Sequence, residues 1–132
     1  MGLEAKLETF DRHPSQITFF CGHDPECLVF NSTRASQRAK RNVEKYYAVV
    51  GVLEEMTKSV AVFESYIPKF FINASNTYQD IVISTNKDGL NKNVCRPRVL
   101  KKFLGDMRHN FSLEIDFYNF CKSRLHKQYL LM

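Results

Sequence analysis

Apolar positions in the chain follow a helical period in some stretches and no period in one. Ala35, Ala39, Val43 and Tyr46 or Tyr47 recur at helical spacing, and Arg38, Lys40, Arg41 and Lys45 form a basic opposite face. Ser32, Thr33 or Ser36 can cap that helix. Tyr47 to Leu53 breaks the pattern, because it is continuous, rich in β-branched residues and uncharged. It predicts a strand buried on both faces, of the kind found in parallel sheets. Gly51 within it marks a close backbone approach or a bulge. Glu54 and Glu55 then open a second helix, with Met56, Val60, Phe63 and Ile67 on its apolar face, and Pro68 ends or kinks it. Asn73 to Pro97 reads as a loop region in which Ile81 to Ile83 could make a short strand. Pro97 suits the first position of a helix running to Phe103, and Gly105 punctuates the chain beyond it. A last helix is predicted over about Arg108 to Tyr129, with Leu113, Phe117, Phe120 or Cys121, and Leu125 on one face. One strand cannot make a sheet, so its partners are expected outside this chain.

Composition narrows the class. At 132 residues with 44% hydrophobic content, the chain is one domain at most and can bury a core. It contains no apolar run of membrane-spanning length, and Met1 to His13 lacks the apolar centre of a signal peptide. Residues 1–16 read as an irregular lead-in and 17–132 as the structured part. The net charge of +5 gathers at Arg34 to Lys45, at Lys87 to Lys102, and at Arg108 with Lys122 to Lys127. Such charge suits an anionic partner or a solvated face. A nucleic-acid module would interleave it with aromatics on one surface, whereas most aromatics here fall at core-like spacing.

The segment Phe19-Phe20-Cys21-Gly22-His23-Asp24-Pro25-Glu26-Cys27 carries the sharpest chemical signal. Two cysteines bracket a turn, as in a local disulfide or half of a metal site. As a zinc site, Cys21, His23 and Cys27 would need a fourth ligand from Cys95, Cys121, His109 or His126. Three glycosylation sequons, at Asn31, Asn73 and Asn110, favour a lumenal or extracellular protein. No nucleophile elbow, Walker loop or dinucleotide fingerprint occurs, and Glu54 and Glu55 point about 100° apart on a helix. The residues present no self-evident catalytic constellation.

Taken in order, several motifs resemble a known family. They are Phe19-Phe20-Cys21-Gly22-His23-x-x-Glu26-Cys27; Ala39-Lys40-x-Asn42-Val43; Tyr47-x-Val49-Val50-Gly51-Val52-Leu53-Glu54-Glu55; Ile67-Pro68-x-Phe70-Phe71; and Glu114-x-x-Phe117-Tyr118-x-Phe120. From about Ile17 to Gln128 the chain resembles the C-terminal part of the glycosaminoglycan 2-O-sulfotransferases, with the uronyl, pipe-like branch nearer than the heparan sulfate branch. The resemblance implies an α/β fold, mostly helical in this part, with one buried strand of parallel type. It implies a Golgi-lumenal type II membrane enzyme. Such an enzyme moves a sulfo group from 3′-phosphoadenosine 5′-phosphosulfate to the 2-hydroxyl of a uronic acid in heparan, dermatan or chondroitin sulfate. The same likeness implies a trimer and a Cys21–Cys27 disulfide; no metal and no nucleic-acid partner are expected.

The resemblance also says what this chain is expected to lack. The family's phosphosulfate loop, catalytic histidine, 3′-phosphate-binding Arg/Ser pair and membrane anchor lie before the cysteine loop. The chain is therefore expected to be about half of a catalytic domain: a fragment, a truncated gene model or a degenerate copy. No catalytic residue is assigned. The family's basic loop falls at Leu90-Asn91-Lys92-Asn93, which makes Lys92 the candidate for the nucleotide donor and Lys87, Arg96 and Arg98 candidates for the glycan. Two other readings stand beside the enzyme: a catalytically dead basic lumenal module that holds sulfated glycans, and a small zinc protein.

Overall fold

The computed structural model describes residues 15–88 and 101–132, with side chains at 15–85 and 101–132. Contacts divide the chain into two compact units, one of Met1–Tyr47 with Met107–Asn119 and one of Ala48–Asp106 with Phe120–Met132. Seven α-helices run in order among the described residues: α1 Gln16–Cys21, α2 Thr33–Tyr46, α3 Met56–Tyr66, α4 Pro68–Phe71, α5 Ala74–Asp88, α6 Lys101–Asn110 and α7 Ser112–Leu130. Short 3₁₀ turns cover Pro25–Leu28 and Leu53–Glu55.

The first unit is organised around α1. A helix of six residues does not stand alone in water, because nucleation outweighs the few hydrogen bonds gained. Its ends are satisfied from outside. Ser15 caps the N-terminus by accepting from the Thr18 amide at 3.2 Å. The Glu114 carboxylate accepts from the Ser15 hydroxyl, from the Gln16 amide at 3.2 Å and from the Ile17 amide at 3.4 Å. Negative charge there also complements the helix dipole. At the other end the Asn42 amide donates to the carbonyls of Phe20 and Cys21 at 2.9 and 3.0 Å. The chain then turns, and Thr18 donates its hydroxyl to the Cys27 carbonyl at 2.9 Å. Cys21 and Cys27 are joined as a disulfide across this turn.

Ser32 caps α2 through the Ala35 amide at 3.2 Å. Ala35, Ser36, Ala39 and Val43 are its buried face. Ile17, Cys21 and Cys27 are buried in the same unit, as is Phe117 from α7. Phe20 meets Phe117 at 5.2 Å between ring centres and Tyr47 at 5.0 Å. Lys40 pairs with Asp116 at 2.6 Å. Three of the sequence motifs thus meet in one unit, and their polar members close helix ends.

The second unit corrects the predicted strand. No strand occurs among the described residues, although Tyr47 and Val52 have extended backbones. The physical reason lies in the hydrogen bonds. The buried Ser59 hydroxyl accepts from the Val52 amide at 2.8 Å and donates to the Val52 carbonyl at 3.0 Å. The Ala48 carbonyl accepts from Gln128 at 2.8 Å and from Arg124 at 3.3 Å. Helix side chains supply partners that a neighbouring strand would otherwise supply, so the segment is extended without a ladder. Val49 and Val52 are buried while Ala48 and Gly51 are exposed, so burial on both faces is also not seen. Gly51 does mark a close approach: a Cβ there would lie 2.8 Å from the Phe63 ring and 3.2 Å from Ser59 Cβ. Phe63 cannot swing away freely, because it stacks on Phe71 at 4.9 Å.

Other expectations shift within the same unit. As expected, the helix before Pro68 ends, at Tyr66, and Pro68 then opens α4 at its first position, as suits a residue with fixed φ and no amide hydrogen. Ser59 and Val62 are the buried positions of α3, so its inner face is rotated from the Met56–Val60–Phe63–Ile67 stripe. Ile81 to Ile83, read as a short strand, lie inside α5 and are exposed. The Glu64 carboxylate accepts from both the amide and the hydroxyl of Ser75, which satisfies the start of α5. Such an N-terminal partner favours the helix, whereas β-branched residues oppose it only weakly. Gly105, expected as punctuation, lies within α6, and the helix expected from about Arg108 begins as α7 at Ser112. The predicted start at Pro97 lies outside the described residues.

Replacing Glu114 with Ala should lower unfolding stability by about 1–2 kcal/mol in urea titration, because α1 loses its long-range N-terminal partner. Gly51→Ala should cost about 1–3 kcal/mol through overpacking against Phe63, and the paired Phe63→Leu change should recover part of it.

Candidate functional site

The basic loop expected to meet donor and glycan is not brought into view. Lys87 lies on α5, with its side chain outside the described part, and Lys92, Cys95, Arg96 and Arg98 lie outside the described residues. The best-formed basic feature is elsewhere, on the outer face of α2. A groove of about 490 Å³ runs there, lined by Glu26, Arg34, Gln37, Arg38, Arg41, Asn42, Lys45 and Tyr46. Arg34, Arg38, Arg41 and Lys45 step by four, three and four residues, so they share an arc of roughly 60° on a helix of 3.6 residues per turn. Ala35, Ala39 and Val43 occupy the opposite side and are buried, which forces the basic arc outward. The disulfide-closed turn supplies the groove's acidic neighbours. Arg34 pairs with Glu26 at 2.8 Å and Arg38 pairs with Asp24. Both pairs are solvent-exposed, so they orient the guanidinium groups without fixing them strongly. Lys45 lies 5.1 Å from the centre of the Tyr46 ring.

A second charged cluster was not foreseen from the sequence. Glu55 sits at the entry to α3 and is 18% exposed, within 3.0 Å of both Lys58 and Lys122 and paired with His126. Hydrogen bonds from His126, and then from Lys58 and Lys122, hold the Glu55 carboxyl down at about 2, against an ordinary value of 4.5. A carboxylate that resists protonation to this degree is a poor proton acceptor. The cluster ties α3 to the last turns of α7. The only sequence signals were the spacings Glu55–Lys58 and Lys122–His126, which place each pair on one helix face. Nothing in the sequence linked the two.

The chemistry of the remaining candidates is simpler. The Cys21 and Cys27 sulfurs are joined to each other, so they offer no thiolates to the zinc arrangement with His23. Among the described residues no group of three or more metal-ligating side chains converges. Asn31, Asn73 and Asn110 are all exposed, and Asn31 and Asn73 adopt positive φ values of 59° and 60°, a region asparagine tolerates. No described helix is long and apolar enough to cross a membrane.

Similar proteins cover most of the chain. The chain is 40% identical over 121 residues to the uronyl 2-sulfotransferase homolog pip of Drosophila melanogaster, covering 89% of this chain and 23% of that protein. It is 32% identical over 107 residues to heparan sulfate 2-O-sulfotransferase 1 of Mus musculus, covering 80% of this chain and 29% of that protein. The Xenopus laevis protein of the same name is 33% identical over 107 residues, with the same coverage. No family model matches the chain. Along most of its length the chain is thus similar to glycosaminoglycan 2-O-sulfotransferases. It spans about a quarter of the length of the curated relatives it matches.

The Glu55 cluster gives a pH test with a definite sign. The folded value is depressed, so this group's stabilisation is present above about 4.5 and is lost as the pH falls toward about 2. Urea midpoints measured from pH 6 to pH 2.5 should fall more steeply for the natural chain than for Glu55→Gln, with the difference confined to the acidic end. Parallel curves would show that the cluster does not hold Glu55 ionised.

Proposed function

We propose that the chain is the C-terminal part of an O-sulfotransferase that uses 3′-phosphoadenosine 5′-phosphosulfate to sulfate the 2-hydroxyl of a uronic acid in a glycosaminoglycan. The observation that carries this reading is the 40% identity to a uronyl 2-sulfotransferase homolog along most of the chain. In the transfer, the sulfur–oxygen bond to the donor's phosphate breaks and a bond to the sugar oxygen forms, while the hydroxyl proton passes to a base. Lys92 is assigned to the donor, and Lys87, Arg96 and Arg98 to the acidic glycan, on the motif match alone. The family's phosphosulfate loop and catalytic histidine find no matching motif here, so the isolated chain is assigned no turnover. The proposed setting is the Golgi lumen, with glycans on the sequon asparagines, membrane attachment through an anchor outside these 132 residues, and a trimeric assembly by analogy.

A second reading is favoured by the basic groove on α2: a lumenal module that holds sulfated glycans without donor chemistry. Restoring the family's upstream donor-binding segment discriminates between the two. With radiolabelled donor and desulfated heparan or dermatan acceptors, the 132-residue chain should transfer no label and the restored protein should transfer it. Transfer by the short chain would refute its assigned inactivity, and none by the restored protein would favour the binding module. In an active restored enzyme, Lys92→Ala with Arg96→Ala should raise the donor or glycan KM several-fold, and unchanged constants would remove both assignments.

A further inference from the structure

We propose that the outer face of α2 is a binding site for an extended sulfated or carboxylated oligosaccharide, with Arg41 and Lys45 as its principal anion contacts. This deepens the reading of the chain as glycan-directed and rests on it for the ligand's class. It places the contact away from the Lys87–Arg98 loop that the motif match assigns to substrate.

Three observations carry it. First, the geometry is linear. Arg34 to Lys45 spans eleven residues, or about 16 Å of helix, which suits charges repeated along a polymer better than a single phosphate. Second, the charge is available. Arg34 and Arg38 already have Glu26 and Asp24, but neither Arg41 nor Lys45 has a carboxylate partner among the described residues. The groove's lining carries four cations and one acidic residue. Third, the groove has a sugar's other requirement, an exposed neutral amide at Gln37 beside the guanidinium groups. Arginine suits sulfate and carboxylate through paired N–H donors.

Nucleic acid is the competing polyanion. Single-stranded binding relies on several aromatic platforms, whereas this groove has one ring, Tyr46, with Lys45 close to it. The floor is rigid, because Asn42 is committed to the α1 carbonyls and the buried face of α2 is packed.

The test uses the 132-residue chain on immobilised heparin, with the double variant Arg41→Gln/Lys45→Gln. A charge-matched control, Lys69→Gln/Lys127→Gln, removes two cations from the second unit. Circular dichroism melting confirms that each variant is folded; should the Gln pair not fold, the single variants Arg41→Gln and Lys45→Gln replace it, each expected to lower the salt slope by about one. The natural chain and the control should bind alike. The groove variant should bind at least about tenfold more weakly, with a salt-dependence slope smaller by about two, as expected when two cations cease to displace counterions. Sulfated oligosaccharide should displace the chain most strongly and desulfated, carboxylate-only oligosaccharide more weakly, and oligothymidylate should not displace it. Equal loss in groove variant and control, no loss in either, or stronger displacement by the oligonucleotide would each overturn the proposal. Binding is read without donor, so a failure of sulfate transfer leaves the groove standing. A failure of the groove variant in turn leaves the transferase reading standing.

Discussion

The first unit depends on closing the two ends of a six-residue helix. Glu114 lies about a hundred positions along the chain from the amides it accepts, and Asn42 about twenty from its carbonyls. A helix this short leaves more backbone groups unsatisfied than it satisfies. Those two side chains and Ser15 make it a stable platform for the disulfide turn on one side and Phe117 on the other. Once α1 is fixed, α2 can pack only by its Ala35–Ala39–Val43 side, and its basic arc must face solvent. The exposed groove is therefore a consequence of internal capping, not an independent ornament of the surface.

The second unit shows the same principle with different residues. The extended segment after Tyr47 has no strand beside it, and its backbone groups would be costly if buried without partners. Ser59 answers both groups of Val52, while Arg124 and Gln128 answer the Ala48 carbonyl. Gly51 lets the ring of Phe63 sit close against this segment. Together with the Glu55 cluster, these contacts tie residues near the middle of the chain to its last helix through polar side chains more than through apolar area.

Sequence patterning was most legible where one face of a helix is buried. The alanine and valine spacing of α2, its serine cap, and the Phe117–Cys121–Leu125 stripe of α7 all accord with the helical period. Patterning misled at Tyr47–Leu53 and Ile81–Ile83, because a run of apolar residues reports burial or branching without reporting who supplies hydrogen-bond partners. Capping by Glu114, Asn42 and Glu64 comes from residues distant in the sequence, and no local signal announces it. The same holds for Glu55 and His126. The motif set accords with the relatives found, and several of its members have structural duties: Glu114 and Asn42 close helix ends, while Gly51 and Phe117 take part in packing.

The proposed glycan contact rests on surface charge carried by an internally capped scaffold. The most direct measurement is a titration of the isotopically labelled chain with a sulfated hexasaccharide, monitored through amide chemical shifts. The account predicts that shifts concentrate at Arg38, Arg41 and Lys45, with those at Lys58 and Lys122 unmoved because Glu55 already holds them. Shifts centred on Lys58 and Lys122, or scattered evenly over exposed lysines of both units, would contradict it.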